Sequence, residues 1–405
     1  MKYAGVHSFY WSVYCSSASF AAVFLLSKHF KNSQIGLVLA IANIFAVFLQ
    51  PAVAAFADTR KISMKDLILI LVGAAGVLAV SLCFLSSCFL VLAALFILQL
   101  IVLFTLQPLV NSLGMQLINK GISMNFGLAR GMGSMAYAVC SVLLGVLVEN
   151  LGADFLSVIS VGLYIALGIV IYTFTNKQFP LAESAITHSE SVETAKETEN
   201  THMNHSFSFF LHNKKYCAFL ATVSLTFCSH SIISNYLIQI TENVGGTAKE
   251  MGIATGIAAA IELPAMILFC FCVKKIRCSS ILKFSLFFFV IKTVITMLAT
   301  NVWMLYAAQL FQFSSYALFI PASIYYVNEI IKKDDLAKGQ AFMTSAITLG
   351  GVAASLIGGW LLDGFGVDKM LFAGLIAAAL GFILGLYAIE RVEIKEFASN
   401  KSSSQ

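Results

Sequence analysis

Twelve stretches of roughly twenty mostly apolar residues, joined by short polar connections, run through the chain at approximately 6–27, 34–56, 66–86, 88–110, 126–148, 153–175, 216–240, 250–273, 279–298, 303–327, 340–362 and 368–390. At 1.5 Å per residue, each can cross a hydrocarbon layer about 30 Å thick as a helix. The pattern predicts an all-α integral membrane protein of twelve transmembrane helices. One long polar segment, 176–215, interrupts it with Glu183, Glu190, Glu193, Lys196, Glu197 and Glu199 among Ser, Thr and Asn, and reads as a linker. It separates an N-terminal six-helix bundle (1–175) from a C-terminal one (216–390), with 391–405 left as a polar tail.

The division invites a search for duplication, and one pattern recurs. Span five ends Ser141-x-x-x-Gly145-x-x-x-Glu149-x-x-Gly152, and span eleven ends Ser355-x-x-x-Gly359-x-x-x-Asp363-x-x-Gly366, at a constant offset of 214. Small residues four apart share a helix face and let a neighbour approach closely. The repeat is therefore expected both to relate the halves as pseudo-symmetric bundles and to mark packing faces.

Composition agrees with the pattern: 59% of the 405 residues are hydrophobic and 11% charged, against about a quarter charged in soluble domains. The Lys and Arg residues set the orientation. Twenty of 25 fall on the side of the termini and the linker, Lys28, Lys31, Lys249 and Lys369 lie opposite, and Lys292 sits inside span nine. Basic loops stay cytoplasmic, so both termini are expected inside a plasma membrane, of bacterial inner-membrane type. The net charge of +5 is then a topology signal rather than a nucleic-acid footprint. Met1-Lys2 and the apolar run behind them read as a retained first span. Nine Cys and the linker's His188, His202, His205 and His212 match no metal-ligand spacing, and neither a metal nor a cofactor is expected.

Two motifs carry a resemblance. The stretch after span two, Gln50-Pro51-Ala52-Val53-Ala54-Ala55-Phe56-Ala57-Asp58-Thr59-Arg60-Lys61, resembles the cytoplasmic G-x-x-x-D-(K/R) signature of the major facilitator superfamily, with Ala54 in place of its Gly. The entry to span five, Asn125-Phe126-Gly127-Leu128-Ala129-Arg130-Gly131-Met132-Gly133-Ser134, is similar to that of the lactose permease branch, which includes sugar, nucleoside and phenylpropionate permeases. The resemblance implies the major facilitator fold, with Asp58, Arg60 and Asp363 as gating residues.

Charged groups at mid-bilayer cost about 2.5–3.5 kcal/mol on insertion scales, so those present point to a path through the protein. Glu262 in span eight and Lys292 in span nine come within about 5 Å in depth by residue counting. They read either as an ion pair lining the path or as a structural salt bridge. His230 in span seven shares their level and is read as a proton carrier or a hydrogen-bonded core residue. Asn235 is a further polar candidate there.

By the resemblance, Glu262 aligns with a carboxylate used for substrate and coupling, and Lys292 with an Arg. In span ten, Gln312 and Ser315 stand where the sugar permease has its titratable His and Glu. Arg130 and Asn111 correspond to an Arg and an acidic residue that grip sugar hydroxyls, so Arg130 lacks that acid here and either meets an anionic substrate or anchors the cytoplasmic edge. Tyr137 stands where that permease has a Trp, near Tyr10, Trp11 and Tyr14.

The expected function is secondary active transport of a small polar organic solute, such as a sugar or nucleoside, by alternating access and with proton coupling. Asn111, Arg130, Tyr137, Glu262 and Gln312 are its substrate residues, and His230, Glu262 and Lys292 its coupling residues. Its partners are the solute, the proton and the lipid bilayer, and the chain is expected to act as a monomer. The sequence has no P-loop to use ATP. The rivals are an exporter of amphipathic compounds, a transporter-derived sensor, and a membrane enzyme using His230 and Glu262, for which no nucleophile or metal set is found.

Overall fold

The computed structural model describes residues 2–60, 62–84, 89–119, 126–174, 213–331 and 335–390. The regular structure of these residues is helical, and helices cover all twelve predicted spans. Eight spans are single helices: Asn32–Arg60, Met64–Phe84, Phe89–Asn119, Phe126–Leu151, Phe155–Tyr172, Lys214–Asn235 (extended by Leu237–Asn243), Ala248–Cys272 and Cys278–Met297.

The other four are broken or fused. Span one runs through Lys2–Tyr14, a π-helical turn at Cys15–Ser19 and Ala21–Ser27, with a bend of 42°. Span ten is interrupted between Val302–Leu310 and Tyr316–Ile330. Spans eleven and twelve form one helical run, Leu336–Ala388, turned at Gly366, whose φ of 81° lies in the left-handed region that glycine adopts without strain. The repeat glycine Gly152 has φ 87° at the end of span five.

Two helices run beyond their predicted ends. Span two continues through the signature stretch to Arg60, and span four reaches Asn119, so Asn111 lies within its helix rather than at its end. Each carries an internal proline, Pro51 or Pro108. Pro108 has no N–H for the carbonyl of Phe104 one turn earlier, and the Gln50 side-chain amide donates to that carbonyl at 3.2 Å instead. Apolar surroundings make that substitute bond worth keeping, and the helix passes through.

Lys2 of span one donates to the carbonyl of Thr173 at the end of span six, and Lys215 of span seven pairs with Glu390 after span twelve, at what is called the terminal end below. One apolar core fills the first six spans and, at the opposite end, called the far end below, reaches across to the last six, joining Phe24, Phe30 and Ile35 to Ile232, Tyr236, Met251 and Leu362. Toward the terminal end the last six spans hold a separate core around Phe219, Phe289, Phe319 and Tyr326. The molecule is thus sealed at the far end.

Candidate functional site

The seal is built from the duplicated pattern. Where span two crosses span eleven, a Cβ on Gly36 would lie 2.0 Å from the carbonyl oxygen of Ser355, and one on Gly359 2.4 Å from that of Asn32. Where span five crosses span eight, a Cβ on Gly252 would lie 2.5 Å from the carbonyl oxygen of Ser141, and one on Gly145 2.7 Å from that of Ala248. No side chain fits either crossing without separating the helices.

The acidic member of each repeat then meets the first turn of the facing helix. The Asp363 carboxylate accepts the backbone N–H groups of Asn32 (3.0 Å) and Ser33 (2.8 Å) and the Asn32 side-chain amide (2.9 Å). Glu149 accepts from Thr247 Oγ1 at 3.3 Å, where Thr247 is the N-cap of span eight. The first N–H groups of a helix have no intrahelical acceptor, so a carboxylate there satisfies them and complements the helix dipole. Gln239 adds a bond to Asn32 Oδ1 at 2.8 Å, and Ser141 Oγ one to the carbonyl of Gly252 at 2.8 Å.

Below this seal the predicted polar residues of the last six spans converge. Lys292 is 3% exposed and its Nζ donates to Gln312 Oε1 at 2.6 Å. Gln312 Nε2 donates in turn to Glu262 Oε1 at 3.2 Å. The direct ion pair expected between Glu262 and Lys292 is therefore replaced by a relay through a neutral amide. An amide can do this because its oxygen accepts from the ammonium while its nitrogen donates to the carboxylate.

The break in span ten positions the bridge. Gln312 lies in the turn between the two helical pieces, and Ser315 returns its Oγ to the carbonyl of Phe311 at 2.7 Å. Thr293 and Thr296, flanking Lys292, bond back to the helix at Phe289 and Lys292.

His230 occupies an aromatic box. Its ring stacks on Tyr316 at 4.9 Å and 21°, with Phe227 and Phe289 edge-on at 6.0 and 5.9 Å. Its Nδ1 is buried with no hydrogen-bond partner among the described residues. Asn235 turns toward the seal, donating to Ser355 Oγ at 3.0 Å.

The first six spans supply the facing wall. Tyr137 shares a hydrogen bond of 2.6 Å with Ser19, which the π-helical turn of span one presents, and stands edge-on to Trp11 at 6.3 Å. Ser19 was not singled out in the sequence; the run Ser16-Ser17-Ala18-Ser19 in an apolar span was its available signal. Arg130 is half-buried in span five, beside Gly131, whose Cβ would meet Leu263 at 2.6 Å. Asn111 is partly exposed in span four.

Of the expected gating residues, Asp363 bonds Asn32 and Ser33 at the far end. Arg60 is exposed at the terminal end, 6.0 Å from the Phe56 ring. The Asp58 side chain lies outside the described residues, as does the linker up to residue 212. Among the described residues no group of three or more His, Cys, Asp or Glu is placed to hold a metal.

The model of the MFS_1 like family matches residues 1–384. The chain is 22% identical to the uncharacterized transporter YwbF of Bacillus subtilis (strain 168) over 397 residues, covering 96% of this chain and 94% of that one. Among solved structures, a mutant of the nucleoside transporter NupG superposes with a TM-score of 0.78 at 13% identity, over 96% of this chain and 98% of the other. A D-xylose-proton symporter gives 0.67 at 15% identity, over 97% and 96%.

Proposed function

The chain belongs to the MFS_1 like family of membrane transporters, and from that premise we propose that it moves a small polar organic solute across the plasma membrane together with protons. The observation that carries the reading is the Lys292–Gln312–Glu262 relay. It sets a cation and a carboxylate into an apolar interior near the junction of two bundles sealed at one end. Such groups are costly unless the path uses them. The structural likeness to a nucleoside transporter and to a D-xylose-proton symporter supports the solute class.

In this reading the terminal end faces the cytoplasm, as the distribution of Lys and Arg favours. The 176–215 linker joins the two rocking units. The seal formed by Gly36, Gly252, Glu149 and Asp363 is the outer gate, and Asp58 and Arg60 belong to its inner counterpart. Glu262 carries the proton: neutralised, it no longer holds Lys292 through Gln312, and the change in charge is felt at the walls that bind solute. Gln312 and Tyr137 offer hydrogen bonds to the solute, and His230 shapes an aromatic wall. Counterflow of labelled solute in proteoliposomes tests the assignment, because exchange without an imposed gradient requires a transporter and is not given by a sensor.

A further inference from the structure

Two thiols lie against each other where span one packs on span five. Cys15 opens the π-helical turn of span one, and Cys140 stands one turn beyond Tyr137 in span five. The Cys15 side chain meets those of both Cys140 and Ser141, while Cys140 Sγ donates to the carbonyl of Ser12, one turn before Cys15, at 3.7 Å. Two turns before Cys140 the helices are already close, since a Cβ on Gly133 would come within 2.5 Å of Trp11. Both cysteines are free thiols. Side chains that already touch need only rotate and draw together to reach the S–S bond length of about 2.05 Å.

One member of the pair can be reached. Cys15 is fully buried, whereas Cys140 is partly exposed and lines a groove of about 560 Å³ whose walls include Ser12, Met135, Leu144 and Ile159. A mostly apolar groove admits a small uncharged oxidant and disfavours a charged one. Both sides of the contact also adjoin working parts. Tyr137 bonds Ser19 of the π-helical turn, and Ser141, next to Cys140, donates to the Gly252 carbonyl in the far-end crossing. Span one bends by 42° at that turn, whose Ser16 accepts from Ser160 of span six at 2.9 Å. Turns of this kind kink helices and recur at functional sites.

We infer that Cys15 and Cys140 are a disulfide-forming site: a peroxide joins them, and the bridge fixes the bend of span one against span five and stops transport. With hydrogen peroxide the O–O bond breaks as Cys140, the reachable thiol, is oxidised to a sulfenic acid and one water leaves. Cys15 sulfur then displaces the hydroxyl of that sulfenic acid, the S–S bond forms, and the Cys15 proton leaves with the hydroxyl as a second water. The two thiols have together lost two electrons, which the peroxide has gained. The arrest rests on the transporter reading; the bridge does not.

The test treats the full-length chain in proteoliposomes with hydrogen peroxide, blocks the remaining thiols and maps disulfides by mass spectrometry. Counterflow of labelled uridine and labelled D-xylose is recorded on the same preparations. The expected result is a linked pair of peptides holding Cys15 and Cys140, lighter by two hydrogen atoms than the separate thiols. Counterflow should fall in proportion to the bridged fraction and return with dithiothreitol. Cys15→Ser and Cys140→Ser should each transport before treatment and keep transporting after it.

Cys15 and Cys140 recovered unlinked after peroxide, or a Cys140 carried on to the sulfinic acid without a bridge, overturns the inference. So does a bridged protein that transports as the reduced one does, or an arrest that persists in both serine variants. Should a serine variant not fold, the bridge in the wild-type chain and its reversal by dithiothreitol decide alone. Absence of counterflow with both solutes in the reduced chain strikes the proposed function instead, and the bridge is then judged by the mass map by itself.

Discussion

Asp363 at the end of span eleven accepts the backbone N–H of Ser33 at the start of span two, 2.8 Å away and across the boundary between the bundles. With the two bonds from Asn32, it ties the first turn of span two to the end of span eleven. Removing such a cap costs about 0.5–2 kcal/mol. Asp363→Ala should therefore shift the closed far end toward opening by roughly 2- to 30-fold. The readout is alkylation by a membrane-impermeant maleimide of a cysteine placed at Ser19, in a cysteine-free background. Unchanged labelling would mean that the carboxylate is not part of the gate.

Gly36 and Gly252 face backbone across the two crossings, at 2.0 and 2.5 Å from a Cβ that neither has. Gly36→Leu or Gly252→Leu should hold the far end open: strong labelling at Ser19, with solute translocation lost and binding retained. Backbone cannot move aside as the tip of a flexible side chain can, so either substitution alone should suffice. Normal transport by both variants would contradict the seal.

Both crossings were partly legible in the sequence. The recurrence of Ser, Gly, acid and Gly at an offset of 214 marked Asp363 and its packing face, because small residues four apart leave a periodic trace. The partners Asn32 and Ser33 left none, since a contact between spans two and eleven depends on how each helix is rotated. The same limit applied to Lys292 and Glu262. Counting residues brought them to one depth, yet only helix rotation and the break in span ten decide that Gln312 stands between them. Residue counting also placed Asn111 at a helix end, because Gln50 compensates for Pro108 from another helix.

Gln312→Leu removes the sole acceptor shown for Lys292 among the described residues and strands a buried ammonium. A hydrogen bond to a charged group contributes about 1.5–3 kcal/mol, so thermal stability in detergent should fall by that order and transport should cease. Lys292→Ala should also abolish transport, while Gln312→Leu combined with Lys292→Met should recover part of the lost stability, since the stranded ammonium is gone. A double variant no more stable than Gln312→Leu would show that Lys292 is satisfied by other groups.

Glu262 is the carboxylate at the end of the relay, and coupling is assigned to it. The most direct measurement compares wild type and Glu262→Gln in proteoliposomes, recording counterflow of labelled solute and solute-driven proton uptake on the same preparations. Glu262→Gln is expected to retain counterflow and to lose both proton uptake and uphill accumulation. Proton uptake and accumulation at wild-type levels in Glu262→Gln would contradict it.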